Sequence, residues 1–265
     1  RSWCELVSGS EADALGEGWR SYIYPEDLPM LLGLMPTNDS IRPGQSVAEV
    51  PDHVFRVRRT DGELRWVNGR IAPLEQESGT VAGYLMAAID VTEARNASEQ
   101  LKYLATHDPM TGVLNRAAFE MEVGPALTRA NRYSTRCALL FADIDDFKHI
   151  NDTYGHAVGD MALDTLVRRI QTTLREVDTI GRLGGDEFGI LMDQVRTQED
   201  AELTIRHIEA VLKEPIVVND RQSFRLQLSI GAAIYPEDGA SFDDLARKAD
   251  TNMYLQKALH DGLPQ

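Results

Sequence analysis

No apolar run in these 265 residues approaches the roughly 20 that a helix needs to cross a bilayer. A secretory leader, with its basic start and apolar core, is missing too, so the segment is expected to be cytoplasmic and without direct membrane contact. It begins at Arg1 rather than methionine, so it reads as a piece of a longer parent, whose own location, membrane-anchored or not, stays open. Cysteine is scarce: Cys4 and Cys137 are too few for a disulfide framework or a cysteine metal cluster. Cys137 opens an apolar run, where a small residue suits a buried strand. Positive charge is in deficit, 27 Lys and Arg against 42 Asp and Glu, a net charge of −15. That field repels nucleic acid and anionic membranes and argues against both as partners. A polyphosphate is repelled as well, but salt confines the effect to about 8–10 Å, so local cations decide whether one binds. Internal repeats and low-complexity tracts are absent, and a 43% hydrophobic content over this length suits two ordinary domains.

The first ninety residues have the texture of a small α/β domain. Val54 to Arg59 alternates as a half-buried strand, Thr60-Asp61-Gly62-Glu63 turns it, and Leu64 to Arg70 returns as a hairpin partner. A further strand, Gly83 to Ile89, follows a turn at Gly79. Tyr24-Pro25-Glu26-Asp27 stands upstream and Asp90-Val91-Thr92-Glu93 downstream. His53 and Trp66 are candidate pocket residues, although a lone histidine is more often structural and a tryptophan on an alternating strand more often core.

Thr92 to Thr106 contains neither Gly nor Pro and places Ala94, Ala97, Leu101 and Leu104 at spacings of three and four. It is an amphipathic linker helix or a short seam along which two protomers pair. Asp108-Pro109 is expected to end it.

Beyond it, helix and strand patterns alternate: helices over Ala157 to Val177 and Gln198 to Lys213, a strand over Ser223 to Tyr235 and a helix from Phe242 to Met253. Two acidic segments stand out. Asp143-Ile144-Asp145-Asp146-Phe147-Lys148 follows the apolar run Cys137 to Ala142, and Gly184-Gly185-Asp186-Glu187 sits where Thr179 to Leu183 and Phe188 to Met192 would meet in a hairpin. Glycines at such a tip let a large anion approach the backbone, and carboxylates there can hold a hard cation; an ordinary hairpin turn has the same composition. Residues two apart on a strand share a face, so Asp143 and Asp145 are expected to point together. Asp145 and Asp146 read as turn or solvent-facing carboxylates.

Five motifs in order, His107-Asp108-Pro109-Met110-Thr111-Gly112-Val113-Leu114-Asn115-Arg116, Asp143 to Lys148, Ile150 to Asp160, the Gly-Gly-Asp-Glu-Phe stretch 184–188 and Ser229-Ile230-Gly231, make this region resemble GGDEF domains, the diguanylate cyclases. The first ninety residues resemble a PAS domain, whose sheet normally starts one or two strands earlier than this chain does. These resemblances imply an α+β chain: a PAS half-barrel sensor (1–91), a signalling helix (92–106) and a ferredoxin-like palm domain (107–265). They imply condensation of two GTP into cyclic di-GMP with release of pyrophosphate, by a homodimer under PAS control, the PAS ligand being unknown. An attached phosphodiesterase (EAL) domain in the parent, regulated by a weakly active GTP-binding module, is the alternative.

By the same resemblance Asp143, the Ile144 carbonyl and Asp186 ligate Mg²⁺ or Mn²⁺, with Asp143, Asp186 and Glu187 catalytic, and Glu187 either touching a second cation or accepting the hydroxyl proton. GTP is expected on Asn151 and Asp160 (guanine), Phe147, Lys148 and Lys257 (phosphates), His156, Gly184 and Gly185. Lys148 could otherwise be solvated surface, and Asp160 a carboxylate favourable to a helix start. Arg175 and Asp178, with Arg206, match a site where product inhibits, although an Arg–Asp pair at this spacing also occurs at ordinary helix ends. After Lys257 the family's Gly-Arg-Asn is replaced by His260-Asp261-Gly262, so one phosphate-binding cation is lost.

Overall fold

The alternating runs of the first ninety residues do form strands. A computed structural model describes residues 3–35, 50–76 and 81–261. The chain divides into two compact units, Arg1–Leu101 and Lys102–Gln265.

In the first unit β1 (Val50–Arg58), β2 (Leu64–Glu75) and β3 (Val81–Asp90) form an antiparallel sheet in the order β1-β2-β3. Gly62, at φ 87°, makes the turn between β1 and β2, where a side chain would be strained. The turn expected at Gly79 lies outside the described residues. Phe55 and Val57 of β1, with Val67 and Ile71 of β2, bury one sheet face against Leu6 and Val7 of α1 (Trp3–Val7) and Leu31 of α3 (Leu28–Gly33); the short α2 (Glu11–Ala14) lies between these helices in sequence. The Tyr24-to-Asp27 segment is fastened to β1: Asp27 accepts from Arg56 N–H at 2.8 Å, Nε at 2.9 Å and Nη2 at 2.7 Å.

Trp66 corrects a sequence expectation. It faces away from Val67 and the core, under the guanidinium of Arg95 at 4.0 Å, so it and His53, which shares the face of Phe55, stand on opposite sides of the sheet. Trp66 instead anchors the start of α4 (Thr92–Thr106): its N–H donates to Thr92 Oγ1 at 2.8 Å and its carbonyl accepts Val91 N–H at 2.8 Å. Asp90 completes the cap by accepting Thr92 N–H at 2.9 Å. The helix ends at Thr106 as expected, and Leu101 and Leu104 of its apolar seam are exposed.

The second unit runs β4 (Leu114–Asn115), α5 (Arg116–Tyr133), β5 (Arg136–Ile144), α6 (Phe147–Tyr154), α7 (His156–Gln171), β6 (Thr179–Gly184), β7 (Glu187–Val195), α8 (Gln198–Leu212), β8 (Ile216–Asn219), β9 (Gln222–Phe224), β10 (Leu228–Tyr235) and α9 (Phe242–Asp261). Its main sheet has the order β10-β5-β7-β6-β4, antiparallel apart from the short β4–β6 pair. Alternate residues of β5 serve two cores, which explains its unbroken apolar run. Ala138, Leu140, Ala142 and Ile144 pack with Leu166, Ile170 and Ile208 of α7 and α8, while Leu139 packs with Phe119, Leu245 and Ala249 of α5 and α9.

Two expected elements are corrected. The α7 helix stops at Gln171, six residues short of Val177, because Thr172 and Thr173 hydroxyls bond back to Arg169 and Ile170 carbonyls and a separate turn closes from Arg175 to Asp178. The single strand expected over Ser223 to Tyr235 is two: β9 pairs with β8 in a hairpin of its own, and β10 joins the main sheet.

Small residues along β10 let α9 lie close. A Cβ on Gly231 would come within 2.0 Å of the Ala249 carbonyl and 2.2 Å of the Met253 nitrogen, both helix backbone that cannot step aside alone. Gly231→Ala is therefore expected to cost about 1–3 kcal/mol by overpacking and to lower Tm by roughly 3–10 °C, read by calorimetry. An unchanged Tm would mean that the helix yields freely.

Candidate active site

The hairpin tip and the end of β5 meet through the backbone. Ile144 N–H donates to the Asp186 carbonyl at 3.3 Å, and Asp143 stands opposite Glu187 in the β5–β7 register. Asp143 is buried at 8% exposure, whereas Glu187 is exposed. Lys257 reaches across β10 from α9 and forms an ion pair with Asp143 Oδ1. Ser229, fully buried, faces Asp143 on β10, and its small side chain lets the lysine cross. Burial pushes the Asp143 carboxyl above the usual carboxylate range; the Lys257 hydrogen bond pulls it back and the neighbouring Asp186 charge adds to the rise. Burial alone would lower the Lys257 ammonium, but its hydrogen bond to Asp143 together with the negative charges of Asp143, Asp145 and Asp186 holds it above the usual range. Two carboxylates crowd one place with a single ammonium to neutralise them.

Hard oxygen donors gathered in this way suit a divalent cation such as Mg²⁺ or Mn²⁺. Among the described residues no three His, Cys, Asp or Glu side chains form a ready cage. Asp143, Asp186 and the Ile144 carbonyl would supply part of an octahedral set, leaving positions for substrate oxygens and water.

Gly184 and Gly185 have open space where a Cβ would stand, and Gly185 is at φ 53°. Its carbonyl is gripped by Arg182, whose Nε and Nη2 donate at 2.9 and 2.7 Å. Arg182 Nη1 donates in turn to Asp108 at 3.0 Å, and Asp108 also accepts Thr111 N–H at 2.9 Å and its hydroxyl at 2.7 Å. Asp108 and Arg182 thus brace the tip. Sequence reasoning missed the pair, although both lie inside quoted motifs, because nothing along the chain links positions 74 apart.

Next to this tip, Asp146 at φ 54° turns the chain from β5 into α6. Phe147, Lys148 and His149 begin that helix, so their N–H groups have no intrahelical acceptor; Phe147 is half-buried and Lys148 exposed. The Asn151 amide, from α6, lies against Gly159 of α7, the residue before Asp160. A Cβ on Gly159 would fall 2.0 Å from Asn151 Oδ1, so this glycine leaves room for the amide. Asp160 and His156 are exposed. Asp145 differs from its expectation as a turn or solvent-facing carboxylate: its side chain is only 12% exposed, and it accepts from Ser229 Oγ at 2.7 Å and lies 2.8 Å from His260 Nδ1.

Arg175 and Asp178 pair bidentately, Nε to Oδ2 at 3.0 Å and Nη2 to Oδ1 at 2.9 Å, with Arg175 Nη2 also on the Asp193 carbonyl at 3.0 Å. Arg206 is exposed on α8, 3.9 Å from Glu202.

Family comparison decides what this arrangement belongs to: the family described as "Diguanylate cyclase, GGDEF domain" matches residues 105–262. The chain belongs to the GGDEF family. The PAS fold matches residues 1–88. Diguanylate cyclase TpbB of Pseudomonas aeruginosa is 37% identical over 82% of this chain and 50% of its own length, so the chain spans about half of that relative. A solved structure of the TpbB GGDEF domain is 40% identical, covering 58% of this chain and 89% of that one, with a TM-score of 0.56. The coiled coil and GGDEF domain of DgcB from Caulobacter crescentus, solved in complex with c-di-GMP, is 26% identical over 63% of this chain and 88% of that one, with a TM-score of 0.57. As a GGDEF domain, the second unit is of a metal-dependent kind, and its palm-like sheet agrees with both structures.

Proposed function

We propose that the chain is a PAS-controlled diguanylate cyclase, with a sensor over 1–91, a signalling helix over 92–106 and a GGDEF domain over 107–265. It joins two GTP into cyclic di-GMP and releases pyrophosphate. The observation that carries this is the Ile144-to-Asp186 backbone bond, which sets the hairpin tip beside buried Asp143 and Lys257. Asp160 accepts from guanine N1–H and N2–H₂ while the Asn151 amide meets the base edge; adenine lacks those paired donors. The N–H groups of 147–149 and the ammonium groups of Lys148 and Lys257 face the β and γ phosphates, an anion nest at a helix start. Open backbone at Gly184 and Gly185 admits the nucleotide, with His156 at its edge. Mg²⁺ or Mn²⁺ held by Asp143, Ile144 and Asp186 supplies charge neutralisation at the phosphates. Glu187, exposed next to Asp143, is placed to accept the proton of the attacking 3′-hydroxyl.

Each protomer contributes one GTP and the two sites meet across a two-fold axis, the exposed seam of α4 pairing the chains. Incubation with GTP and Mg²⁺, followed by chromatography for cyclic di-GMP and pyrophosphate, tests the activity. GTP binding without product would favour the second function, a regulatory module acting on an attached phosphodiesterase domain; Asp261, where the family carries a phosphate-binding arginine, is what supports it.

Cyclic di-GMP also inhibits through Arg175 and Asp178, with Arg206 as a further contact. Arg175 is half exposed and already shaped as a fork on Asp178, from which it can turn to a phosphate or a guanine edge. Arg175→Ala is expected to raise the half-inhibitory product concentration at least about tenfold with the uninhibited rate unchanged, since one charged hydrogen bond of ~1.5–3 kcal/mol is lost. Equal inhibition in both proteins would remove the site.

A further inference from the structure

Two contacts run in parallel from α9 to the end of β5. Lys257 reaches Asp143, and three residues later His260 reaches Asp145. His260 Nδ1 lies 2.8 Å from Asp145 Oδ2 and 3.4 Å from Ser229 Oγ, while Ser229 donates to Asp145 Oδ1 at 2.7 Å. An ionised carboxylate only accepts, so Nδ1 carries the proton of that bond. With Asp145 at 12% and His260 at 24% side-chain exposure, the contact is largely shielded from water.

Asp145 occupies the bend on which the phosphate end of the site depends. Its N–H donates to the Gln227 carbonyl at 3.0 Å, and the next residue, Asp146, is left-handed at φ 54°. Aspartate tolerates that conformation better than most non-glycine residues, and the bonds of its neighbours hold the bend there. The fastenings of Asp145 come from three places: the strand lead-in at Gln227, β10 at Ser229 and the last turn of α9 at His260. The aim of the 147–149 N–H groups is set by this bend, and the position of Lys257 is set by the same helix end that carries His260.

We infer that His260 is a positioning residue: its bond to Asp145 clamps the start of α6 to the end of α9, holding the 147–149 amides and Lys257 in one frame for the β and γ phosphates of a nucleoside triphosphate. The clamp rests on the cyclase assignment for its ligand but not for its existence. Without it, Asp146 can relax and the two halves of the phosphate site move independently, while the guanine contacts at Asn151 and Asp160 keep their places on α6 and α7.

The test compares the full chain with His260→Ala and His260→Gln, the glutamine amide being able to donate to Asp145. Amide hydrogen exchange without nucleotide reads the bend, and binding of a non-hydrolysable GTP analogue against GMP reads its consequence. In His260→Ala the amides of Asp145 and Ile150, which donate to the Gln227 and Asp146 carbonyls at the bend, should exchange at least about tenfold faster while those of central β7 are unchanged, as for a local opening. The triphosphate should bind about tenfold more weakly and GMP as before, the size of one charge-assisted contact. His260→Gln should recover to within about threefold. Unchanged exchange at Asp145 and Ile150, equal weakening for GMP and the triphosphate, or a glutamine variant no better than alanine would overturn the clamp. Faster exchange at Asp145 and Ile150 in a protein whose wild type binds no GTP would uphold it and sink the cyclase assignment instead.

Discussion

Asp186→Ala is expected to lower cyclic di-GMP formation by at least about 10³-fold, since a cation and its carboxylate supply several kcal/mol at a reacting phosphate and each 1.4 kcal/mol is a factor of ten. The side chain sits on a turn whose backbone carbonyl, not its carboxylate, makes the bond to Ile144. Removing the carboxylate therefore leaves the hairpin pinned. Burial of Asp143 and its rise in the presence of Asp186 point the same way: one of two crowded anions is being removed, so stability should hold or improve slightly. Thermal melting and GTP binding at the guanine end should stay close to wild type while product disappears from the chromatogram. A variant that keeps a tenth or more of the activity would show that Asp186 is not part of the catalytic set, and one that no longer folds would be replaced by Asp186→Asn.

The second large effect concerns association. Leu101 is 68% and Leu104 41% exposed on α4, one above the other on the apolar seam. A carboxylate on each would set like charges against each other wherever two such helices run in parallel, which disfavours pairing strongly. Leu101→Asp with Leu104→Asp is expected to lower specific activity about 100-fold at micromolar protein, because pairing weakened by ~3 kcal/mol shifts the dimer constant by about that factor. Sedimentation should show a monomer, and activity should return as protein concentration rises. Wild-type activity that stays flat on dilution from well above to well below the dimer constant would defeat the two-fold arrangement itself.

Much of the fold was legible because local patterns and tertiary demands agreed. The β1–β2 hairpin was announced by alternation around an Asp-Gly turn, α4 by fifteen residues without Gly or Pro, and the β6–β7 hairpin by two apolar runs either side of two glycines. The failures have particular causes. In the stretch after Ser223 the apolar alternation passes through Arg225 without interruption, yet β9 pairs with β8 and β10 with β5, a choice of partners that no pattern within the stretch records. For α7, the apolar spacing carried past Gln171 to Leu174, but two threonine hydroxyls compete for the carbonyls that would continue the helix. Trp66 was misplaced because its large ring suggested the core, whereas cation stacking with Arg95 keeps it on the outer face.

The candidate site divides in the same way. The candidate residues that lie within single motifs, Asp143, Asp186, Asn151, Asp160 and the two glycines, could be named through the family resemblance, because each motif that carries it is short and contiguous. The supports that hold them could not. Arg182 reaches Asp108 from 74 residues away, and His260 reaches Asp145 from 115 away. From the sequence, His260 registered only as part of a departure from the family's tail. By itself the sequence determined the family and the two-part organisation, since those reside in short contiguous motifs. Only the tertiary structure decided which residues brace them, because α9 must lie down on the small residues of β10 before Lys257 and His260 can cross to β5.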